Sequence, residues 1–369
     1  MTSETPSRPP AAPPARAAGP TGGPALRFGV LGCAEFARRR MLPAMAAHPA
    51  VELVAVASRS ADRAASAAEP HGARPVEGYA RLLADPSVDA VYIPLPAALH
   101  AQWVGAALEA GKHVLAEKPL TTDPERSRAL LERARELGLV LRENVLFVHH
   151  GQHAAVRELL AGRAIGALRC LHAAFTVPAP ADDDIRYDPD LGGGALADIG
   201  LYPVRAAVHL LGPHLDVAGA VLSAAPGRRV ETSGAVLLRR ADGVVAQLTF
   251  GMAHAYRSRY ELWGSEGRIT VDRAFTPPAD HAPQLLLEKA SGPETVTLPA
   301  EDQVAAALTA FAAAVRGDRT AAEADAEEAD LLAQANLLAG IRRAAGWPAG
   351  PREPAGGAGG QAVSASGVR

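Results

Sequence analysis

Two segments of the chain carry side chains that could act on a carbonyl group. Glu117-Lys118-Pro119 closes an apolar run, and the glycine-rich segment at 192–203 presents Asp198 and Tyr202 one helical turn apart. A lysine ammonium or a tyrosine hydroxyl can supply the proton that a ketone needs on reduction. Taken alone, the first segment fits a solvated loop lysine, and the second fits a capped helix with a half-buried tyrosine. Together they favour an acid–base site.

A turn near the start of the chain is suited to a dinucleotide. The apolar run at 26–32 leads into GCAEFA at 32–37, where dinucleotide-binding folds have G-x-G-x-x-G. Small residues in this motif let the backbone approach a pyrophosphate at a helix N-terminus. Only the first motif position is glycine here, and a glycine turn between a strand and a helix also occurs for structural reasons alone. The residues concerned are Gly32, Cys33, Ala34, Glu35, Phe36 and Ala37.

The end of the second predicted strand indicates which dinucleotide would bind. Sites for NAD usually place Asp or Glu there for the ribose 2′-hydroxyl, whereas this chain has Ser58-Arg59-Ser60. An acidic side chain would repel a 2′-phosphate, and an arginine can bind it with two hydrogen bonds. The sequence therefore predicts NADPH/NADP+ as the cofactor.

Three histidines, His149, His150 and His153, could be considered as metal ligands, because positions four apart share one face of a helix. No third ligand with suitable spacing follows them, and hydride transfer to a ketone needs no metal. We therefore expect no metal site and interpret the three as polar residues at the rim of a cleft.

The elements that must position these residues change in type halfway along the chain. Short apolar runs at 26–32, 51–59, 88–96, 112–119 and 139–147 alternate with helix-sized intervals, which predicts βαβ units and a parallel sheet of the α/β class. One of the intervening helices is expected from Asp123 to Gly138, because it has an N-cap, a proline at its first position and a terminal glycine.

The second half, in contrast, alternates apolar and polar residues from 168 to 177 and from 216 to 298. This pattern predicts an α+β domain with a mainly antiparallel sheet covered on one face, with hairpin turns at Asp242-Gly243 and Glu266-Gly267. Two late helices, at about 301–316 and 322–343, are expected to pack back on the core.

The charge balance narrows the classes of partner. The chain has 37 basic and 40 acidic side chains among 369 residues, a net charge of −3, so we expect no nucleic acid and no membrane as partner. No run of 18 apolar residues occurs. Two cysteines, Cys33 and Cys170, indicate a reducing, cytoplasmic location. Residues 1–24 and 348–369 are mostly Pro, Ala, Gly and Ser, which predicts disordered tails.

The nucleotide turn, Glu117-Lys118-Pro119 and the D-x-G-x-[HY] pattern at 198–202 resemble the Gfo/Idh/MocA oxidoreductases over about Leu26 to Trp347. Within this family the chain is most similar to the sugar C3-ketoreductases of antibiotic deoxysugar pathways. Five longer strings carry this closer resemblance: LGCAEFARRRMLPA, ENVLFVHHGQH, DIRYDPDLGGGALADIGLYP, YRSRYELWGS and DRAFTPP.

The resemblance implies a fold and a reaction. The implied fold is a Rossmann domain at 25–147, followed at 148–347 by an open-faced, mainly antiparallel sheet domain that also forms a dimer or tetramer. The implied reaction is the NADPH-dependent reduction of the 3-keto group of a dTDP-linked keto-deoxysugar, dTDP-3,4-didehydro-2,6-dideoxy-α-D-glucose. Many family members have His in place of Tyr202 and an acid in place of Arg205. A histidine-based mechanism and a sugar-acid or inositol substrate are therefore not expected.

The resemblance also implies which residues contact the ligands. For the cofactor these are 32–37 and Arg38 near the phosphates, Ser58 and Arg59 at the 2′-phosphate, Leu95, Pro96 and His100 beside the nicotinamide half, and Glu117 and Lys118 near the ribose and the reacting carbon. For the substrate they are Lys118, Asp184, Arg186, Tyr187, Asp198, Tyr202, Tyr260, Phe275 and Thr276.

Between the two candidate proton donors we expect Lys118 to donate and Tyr202 to orient the ketone, with Tyr202 as the alternative donor. The pKa of a lysine, ordinarily about 10.4, is expected to fall in a cofactor pocket beside a tyrosine or an arginine. Two other functions are possible: another NADP-dependent enzyme of the family, such as a dihydrodiol dehydrogenase or a free-sugar oxidoreductase, and a non-catalytic NADP-binding regulator.

Overall fold

The structure is a computed structural model that describes residues 24–348. The tails predicted to be disordered at 1–24 and 348–369 lie almost entirely outside these residues, so that prediction is not tested.

The first half of the chain forms a six-stranded parallel sheet in the order β3-β2-β1-β4-β5-β6. This order is the doubly wound arrangement of dinucleotide-binding folds, and it confirms the predicted α/β half. Of the run expected at 139–147, only Leu141–Glu143 forms a strand. The strands are β1 (Leu26–Leu31), β2 (Val51–Ser58), β3 (Arg74–Glu77), β4 (Ala90–Ile93), β5 (His113–Ala116) and β6 (Leu141–Glu143).

Helices cover both faces of this sheet, and the predicted helix after Leu120 is confirmed. The side chain of Asp123 accepts a hydrogen bond from the Glu125 amide at 3.0 Å, and Gly138 leaves the helix at φ +67°. The helices are α1 (Leu42–Ala47), α2 (Ala61–Ala68), α3 (Tyr79–Leu83), α4 (His100–Glu109) and α5 (Pro124–Glu136), with short turns of tighter or wider helix at Ala37–Met41 and Ala97–Leu99.

The second half forms an eight-stranded sheet in the order β14-β13-β12-β11-β7-β10-β9-β8. Every neighbouring pair is antiparallel except β7 and β10, which are parallel. Both predicted hairpin turns are present between their strands. The strands are β7 (Leu168–Val177), β8 (Leu215–Ser223), β9 (Ser233–Arg240), β10 (Val245–Met252), β11 (Arg257–Gly264), β12 (Gly267–Asp272), β13 (Gln284–Lys289) and β14 (Gly292–Thr297).

Four helices complete the fold: α6 (Gly151–Ala161), α7 (Leu201–Leu211), α8 (Gln303–Val315) and α9 (Ala321–Ala344). The last two confirm the predicted late helices. Phe311 of α8 packs on Phe28 of β1 with ring centroids 5.4 Å apart. In α9, Leu331 lies in the core of the first sheet, while Leu337 and Ile341 lie in the core of the second. This helix therefore fixes one sheet against the other, and the site lies where they meet.

Candidate active site

The carboxyl ends of the parallel strands share one edge of the first sheet, and the predicted dinucleotide turn lies there. Gly32 follows β1 at φ +119°, and a Cβ on it would lie 2.9 Å from a Leu95 methyl and 3.4 Å from the Pro94 carbonyl oxygen. The Arg38 amide donates to the Ala34 carbonyl at 3.0 Å, so the helix begins within the turn. The earlier amides of this helix start have no intrahelical acceptor, as an anion site requires.

Two arginines lie beside this turn. Arg59 follows β2, and Arg63 lies in the first turn of α2; both are exposed, and neither forms an ion pair with any residue that the structure describes. The Cys33 thiol lies 3.5 Å from the Arg63 carbonyl oxygen, which places α2 against the turn. The buried Ser58 hydroxyl accepts from the Ser60 amide at 3.3 Å. Uncompensated guanidinium groups beside a hydroxyl fit a 2′-phosphate.

Sequence reasoning selected Ser58 and Arg59 but missed Arg63. A signal for it was available, because Ser60 is an N-cap whose hydroxyl accepts from the Arg63 amide at 3.4 Å. A helix that starts at Ser60 brings its third residue back over the strand end, one turn from Arg59.

Lys118 joins the two sheets. It follows β5 and precedes a cis peptide bond to Pro119. Its ammonium forms an ion pair with the Asp198 carboxylate and donates to the Asp198 carbonyl oxygen at 3.1 Å. Asp198 lies in the wide helical turn Leu196–Gly200 that leads into α7. Lys118 and Asp198 are 80 positions apart in the sequence. The two segments singled out in the sequence thus form one site.

The ion pair fixes the charges of both groups. Burial acts to lower the pKa of Lys118, but the neighbouring Asp198, Tyr202 and Glu117 together outweigh it, so this pKa is raised. Burial acts to raise the pKa of Asp198, and Lys118 and Arg186 together lower it to about 2. The sequence-based expectation of a lowered lysine pKa is therefore wrong in this structure, because an anion rather than a cation lies beside the ammonium.

Arg186 also binds this carboxylate. Its Nε donates to the second Asp198 oxygen at 2.6 Å, and its Nη1 donates to the Asp184 carboxylate at 3.0 and 3.1 Å. Three of the residues predicted to contact substrate thus lie together beside Lys118.

The loop around Arg186 is tethered to the segment before β9. The Arg228 guanidinium covers one face of the Tyr187 ring at 3.6 Å from its centroid and pairs with Asp182. Arg229 lies 3.6 Å from Asp190. Sequence reasoning missed Arg228, because nothing in the chain relates it to a loop about 40 residues earlier.

Tyr202 is held by aromatic side chains. Its ring centroid lies 4.8 Å from that of Phe175, 6.0 Å from that of Phe147 and 5.9 Å from that of Phe275, and the Lys118 ammonium lies 5.5 Å from it. Its hydroxyl has no hydrogen-bond partner among residues 24–348. Burial raises the pKa of Tyr202 although Lys118 opposes this shift. The phenol is therefore neutral at pH 7 and free to donate.

Two residues assigned to the cofactor also hold the loop of Lys118, and for Glu117 the contact with the ribose stays a prediction. Glu117 accepts hydrogen bonds from the Tyr92 hydroxyl at 2.8 Å and the Asn144 amide at 2.7 Å. His100 is fully buried, with its ring nitrogens 2.8 Å from the Pro119 carbonyl oxygen and 2.7 Å from that of Leu95. Direct contact between His100 and the nicotinamide half is not compatible with these two bonds.

Two predicted substrate contacts are corrected by burial. Tyr260 is fully buried, and its hydroxyl lies 2.9 Å from His153 Nδ1. Phe275 is fully buried and packs behind Tyr202 rather than beside open space. Thr276 is exposed, with its hydroxyl 3.0 Å from that of Tyr256, so its contact with substrate stays a prediction.

Of the three histidines predicted at a cleft rim, His150 and His153 lie in the core, whereas His149 is half-buried. His150 and His153 are almost fully buried, and His153 Nε2 lies 2.9 Å from the Ala274 carbonyl oxygen. Burial lowers the pKa of His149 to about 3 and that of His153 well below its ordinary value, so both are neutral. Among residues 24–348, no group of three or more His, Cys, Asp or Glu side chains could hold a metal ion. In the same range, no helix is long and apolar enough to cross a membrane.

The charge of Lys118 can be measured directly, because the chain has only three lysines, Lys112, Lys118 and Lys289. Dimethylation with carbon-13 formaldehyde followed by NMR titration should give Lys118 a pKa above that of Lys112, whose pKa burial lowers. Asp198→Asn should lower the pKa of Lys118 by at least about one unit, because burial then acts without the opposing carboxylate. Asp184→Asn, which removes only a partner of Arg186, is the matched control. An unchanged titration of Lys118 in Asp198→Asn would contradict this account.

Comparison with known proteins identifies the family of this chain. Residues 26–145 match the family model for the NAD-binding Rossmann fold of Gfo/Idh/MocA oxidoreductases, and residues 153–270 match a C-terminal domain model of the same family. A dTDP-3,4-didehydro-2,6-dideoxy-α-D-glucose 3-reductase from Streptomyces violaceoruber is 54% identical over 87% of this chain and 96% of its own length. Its counterpart from Saccharopolyspora spinosa is 52% identical over 86% of this chain and 97% of its own.

A solved structure is similar in fold as well. The crystal structure of a 3-ketoreductase from Actinomadura kijaniata, in complex with NADP and TDP-benzene, is 49% identical. It superposes with a TM-score of 0.83 over 87% of this chain and 98% of that one. The predicted family is thereby confirmed: the chain belongs to the Gfo/Idh/MocA oxidoreductases.

Proposed function

We propose that this enzyme reduces the C3 keto group of dTDP-3,4-didehydro-2,6-dideoxy-α-D-glucose with NADPH, and so forms a dTDP-4-keto-2,6-dideoxyhexose. The observation that carries the proposal is the Lys118–Asp198 ion pair at the sheet edge that holds the dinucleotide turn. Beside it lies Tyr202, whose hydroxyl has no hydrogen-bond partner in the described residues. The two relatives named for this reaction, at 52 and 54% identity over almost their whole length, supply the substrate.

The reaction needs a hydride at C3 and a proton on the oxygen bound to it. NADPH supplies the hydride and leaves as NADP+. Lys118 is an ammonium at neutral pH because its pKa is raised, so it holds the proton before reaction. The positive charge stabilises the developing alkoxide, which is a stronger base than an amine and takes the proton. The neutral amine of Lys118 then regains a proton from solvent.

Tyr202 and Asp198 position the reactants. The phenol of Tyr202 stays neutral and can donate a hydrogen bond that orients the ketone. Asp198 keeps its charge, since its pKa is about 2, and therefore holds the ammonium in place without competing as an acid. Asp198 bonds to Lys118 through both its side chain and its carbonyl oxygen, which limits the rotamers of the lysine.

The tethered loop supplies the contacts for the nucleotide diphosphate. Asp184, Arg186 and Tyr187 lie in it, and Arg228 and Arg229 flank it. Guanidinium groups bind phosphate oxygens through paired hydrogen bonds. Arg186 lies next to Asp198, so a diphosphate bound there places the sugar toward Lys118.

The sheet edge would hold NADPH. The turn at 32–37 would lie against its pyrophosphate with Arg38 nearby, and Leu95 and Pro96 would border its nicotinamide half. Ser58, Arg59 and Arg63 receive the 2′-phosphate. This set fits NADPH rather than NADH, because Arg59 rather than an acidic residue directly follows the end of β2.

A free-sugar oxidoreductase is the second candidate function. A relative from Haloferax volcanii named D-xylose 1-dehydrogenase (NADP(+)) 2 is 34% identical, but its substrate needs no diphosphate site.

A thermal-shift comparison separates the two candidate functions. For a sugar-nucleotide reductase, dTDP should raise the melting temperature of the enzyme, whereas glucose and catechol diols should not. Stabilisation by free sugars alone would favour the second function.

We also propose that the outer face of the second sheet joins copies of this chain. Val221 and Leu237 are 64 and 41% exposed on neighbouring strands, and Trp263, stacked on His172 at 4.3 Å, is 42% exposed. The strand register puts these side chains on one face. Exposed apolar side chains grouped in this way are typical of interfaces.

We propose the cytoplasm as the location of the enzyme and antibiotic deoxysugar biosynthesis as its pathway. The use of NADPH and the two free cysteines support this setting.

The roles of Lys118 and Tyr202 are tested by following NADPH oxidation at 340 nm with enzymatically generated 3-keto sugar nucleotide. Lys118→Ala should lower kcat by about 100- to 10,000-fold, as expected when a proton donor is lost. Tyr202→Phe, which keeps the ring packing, should lower kcat less. Near wild-type kcat in Lys118→Ala would refute the assignment, and an inactive Tyr202→Phe beside an active Lys118→Ala would reverse the two roles.

The cofactor preference is tested by comparing kcat/KM for NADPH and NADH. Arg59→Ala and Arg63→Ala should each lower kcat/KM for NADPH by about 10- to 100-fold, the range expected for a charged hydrogen bond to phosphate. Values for NADH should stay unchanged. Arg39→Ala is the matched control, because Arg39 is equally exposed but pairs with Glu35. Equal losses for both cofactors would show that the two arginines do not bind the 2′-phosphate.

The oligomer interface is tested by light scattering on a sizing column. The wild-type protein should have a mass of at least twice that of the 38.1 kDa chain. Leu237→Glu should reduce that mass, because a buried carboxylate opposes association. Leu137→Glu, at an exposed leucine beyond α5, serves as the control. A monomeric wild-type protein would refute the interface.

A further inference from the structure

The end of β6 carries two polar side chains, which bind residues on either side of Lys118. β6 pairs with β5 so that Glu143 lies opposite Ala116, two residues before Lys118. Asn144 donates to the Glu117 carboxylate at 2.7 Å, on the amino side of the lysine. Glu143 accepts from the Leu120 amide at 2.8 Å, on the carboxyl side. Glu143 and Asn144 thus hold the loop at two points, one on each side of Lys118.

Glu143 is itself fixed from α9. Its two carboxylate oxygens accept from the Gln334 amide at 3.0 and 2.9 Å. Glu143 is 8% exposed and Gln334 is 1% exposed, so water cannot readily replace either bond. A shift of this carboxylate would leave the buried amides of Leu120 and Gln334 without an acceptor, which is unfavourable.

The hydrogen bond from Leu120 to Glu143 lies at the wall of a cavity. Pro119, Leu120 and Glu143 line this cavity of about 1110 Å³ together with residues of α9. Leu120 is 1% exposed and belongs to the core of the first sheet, so packing holds its side chain. The hydrogen bond from its amide to Glu143 restrains the backbone at the same point.

We propose that Glu143 is a positioning residue for Lys118: it anchors the Leu120 amide to Gln334 of α9 and so sets the direction in which the lysine leaves the backbone. Glu143 does not reach the Lys118 ammonium, which is bound to Asp198. Its effect on the reaction rests on the function proposed above, because the reaction needs the ammonium at one defined place.

Three substitutions of Glu143 separate anchoring from mere burial. Glutamine keeps an oxygen for the Leu120 amide, and its own amide can donate to Gln334, whose side-chain oxygen has no partner in the described structure. Aspartate is one methylene shorter and cannot span both partners, and alanine removes both bonds. The buried Arg205 faces both Glu143 and Asp330, so a carboxylate stays beside it in every variant.

The kinetic test compares these variants with the wild-type enzyme. Glu143→Gln should keep kcat within about threefold. Glu143→Asp and Glu143→Ala should lower kcat by at least about tenfold, as displacement of a reacting group does, with KM for NADPH changed less than about twofold. A general loss of structure would change both constants and would also affect the glutamine variant. A wild-type kcat in Glu143→Ala would overturn the proposal.

A second readout needs no substrate. Hydrogen exchange at the Leu120 amide should be at least about tenfold faster in Glu143→Ala or Glu143→Asp than in Glu143→Gln, while the amides of β1 stay protected. If the wild-type enzyme does not reduce the keto sugar, the proposed function fails, and exchange still decides whether Glu143 anchors the loop. Unchanged exchange at Leu120 would overturn the anchoring. If the alanine variant does not fold, the aspartate variant decides both tests.

Discussion

The ion pair between Lys118 and Asp198 is the contact on which the rest of the site depends. Lys118 comes from the end of β5 in the parallel sheet, and Asp198 comes from the turn before α7 that packs on the antiparallel sheet. Neither sheet contains the site alone. The long helix α9 contributes to both cores and keeps the two groups within bonding distance. The charges of the pair follow from burial and proximity: the carboxylate stays ionised and the ammonium stays protonated.

This arrangement explains why a buried lysine can serve as an acid in this fold. Burial without a partner would neutralise the ammonium, and a neutral amine has no proton to give. Asp198 prevents this, while the aromatic side chains around Tyr202 keep the second donor neutral and directed. Arg186 shares the carboxylate from the opposite side, so the loop that carries it is part of the same charge network.

The sequence predicted those parts of the fold that local patterns determine. The parallel sheet, the helix from Pro124 to Glu136 and the hairpin at Asp242-Gly243 follow from strand spacing, caps and turn residues, whereas the strand order was not predicted. Lys118, Asp198 and Tyr202 were found because their motifs are contiguous. His153 and Tyr260 were misplaced because polar side chains can pair with each other inside a core, and no local pattern shows this.

The residues that were missed have partners far away in the sequence. Arg228 meets Tyr187, and Glu143 meets Gln334 of α9 across nearly 200 positions. Such contacts depend on how two sheets and a late helix pack together, which periodicity does not encode. His100 shows the reverse case, since its place in the sequence suggested a ligand contact, whereas its buried ring lies between the carbonyl oxygens of Leu95 and Pro119.

The most direct measurement of the central claim is the fate of the transferred hydrogen. Wild-type enzyme is incubated with the 3,4-diketo sugar nucleotide and NADPH deuterated at C4, in separate reactions for the two faces of the nicotinamide. Mass spectrometry and NMR of the product should find one deuterium at C3 of the hexose from one labelled face and none from the other. Deuterium at C4 of the hexose, or an unlabelled product from both forms, would contradict the assignment of a C3-ketoreductase.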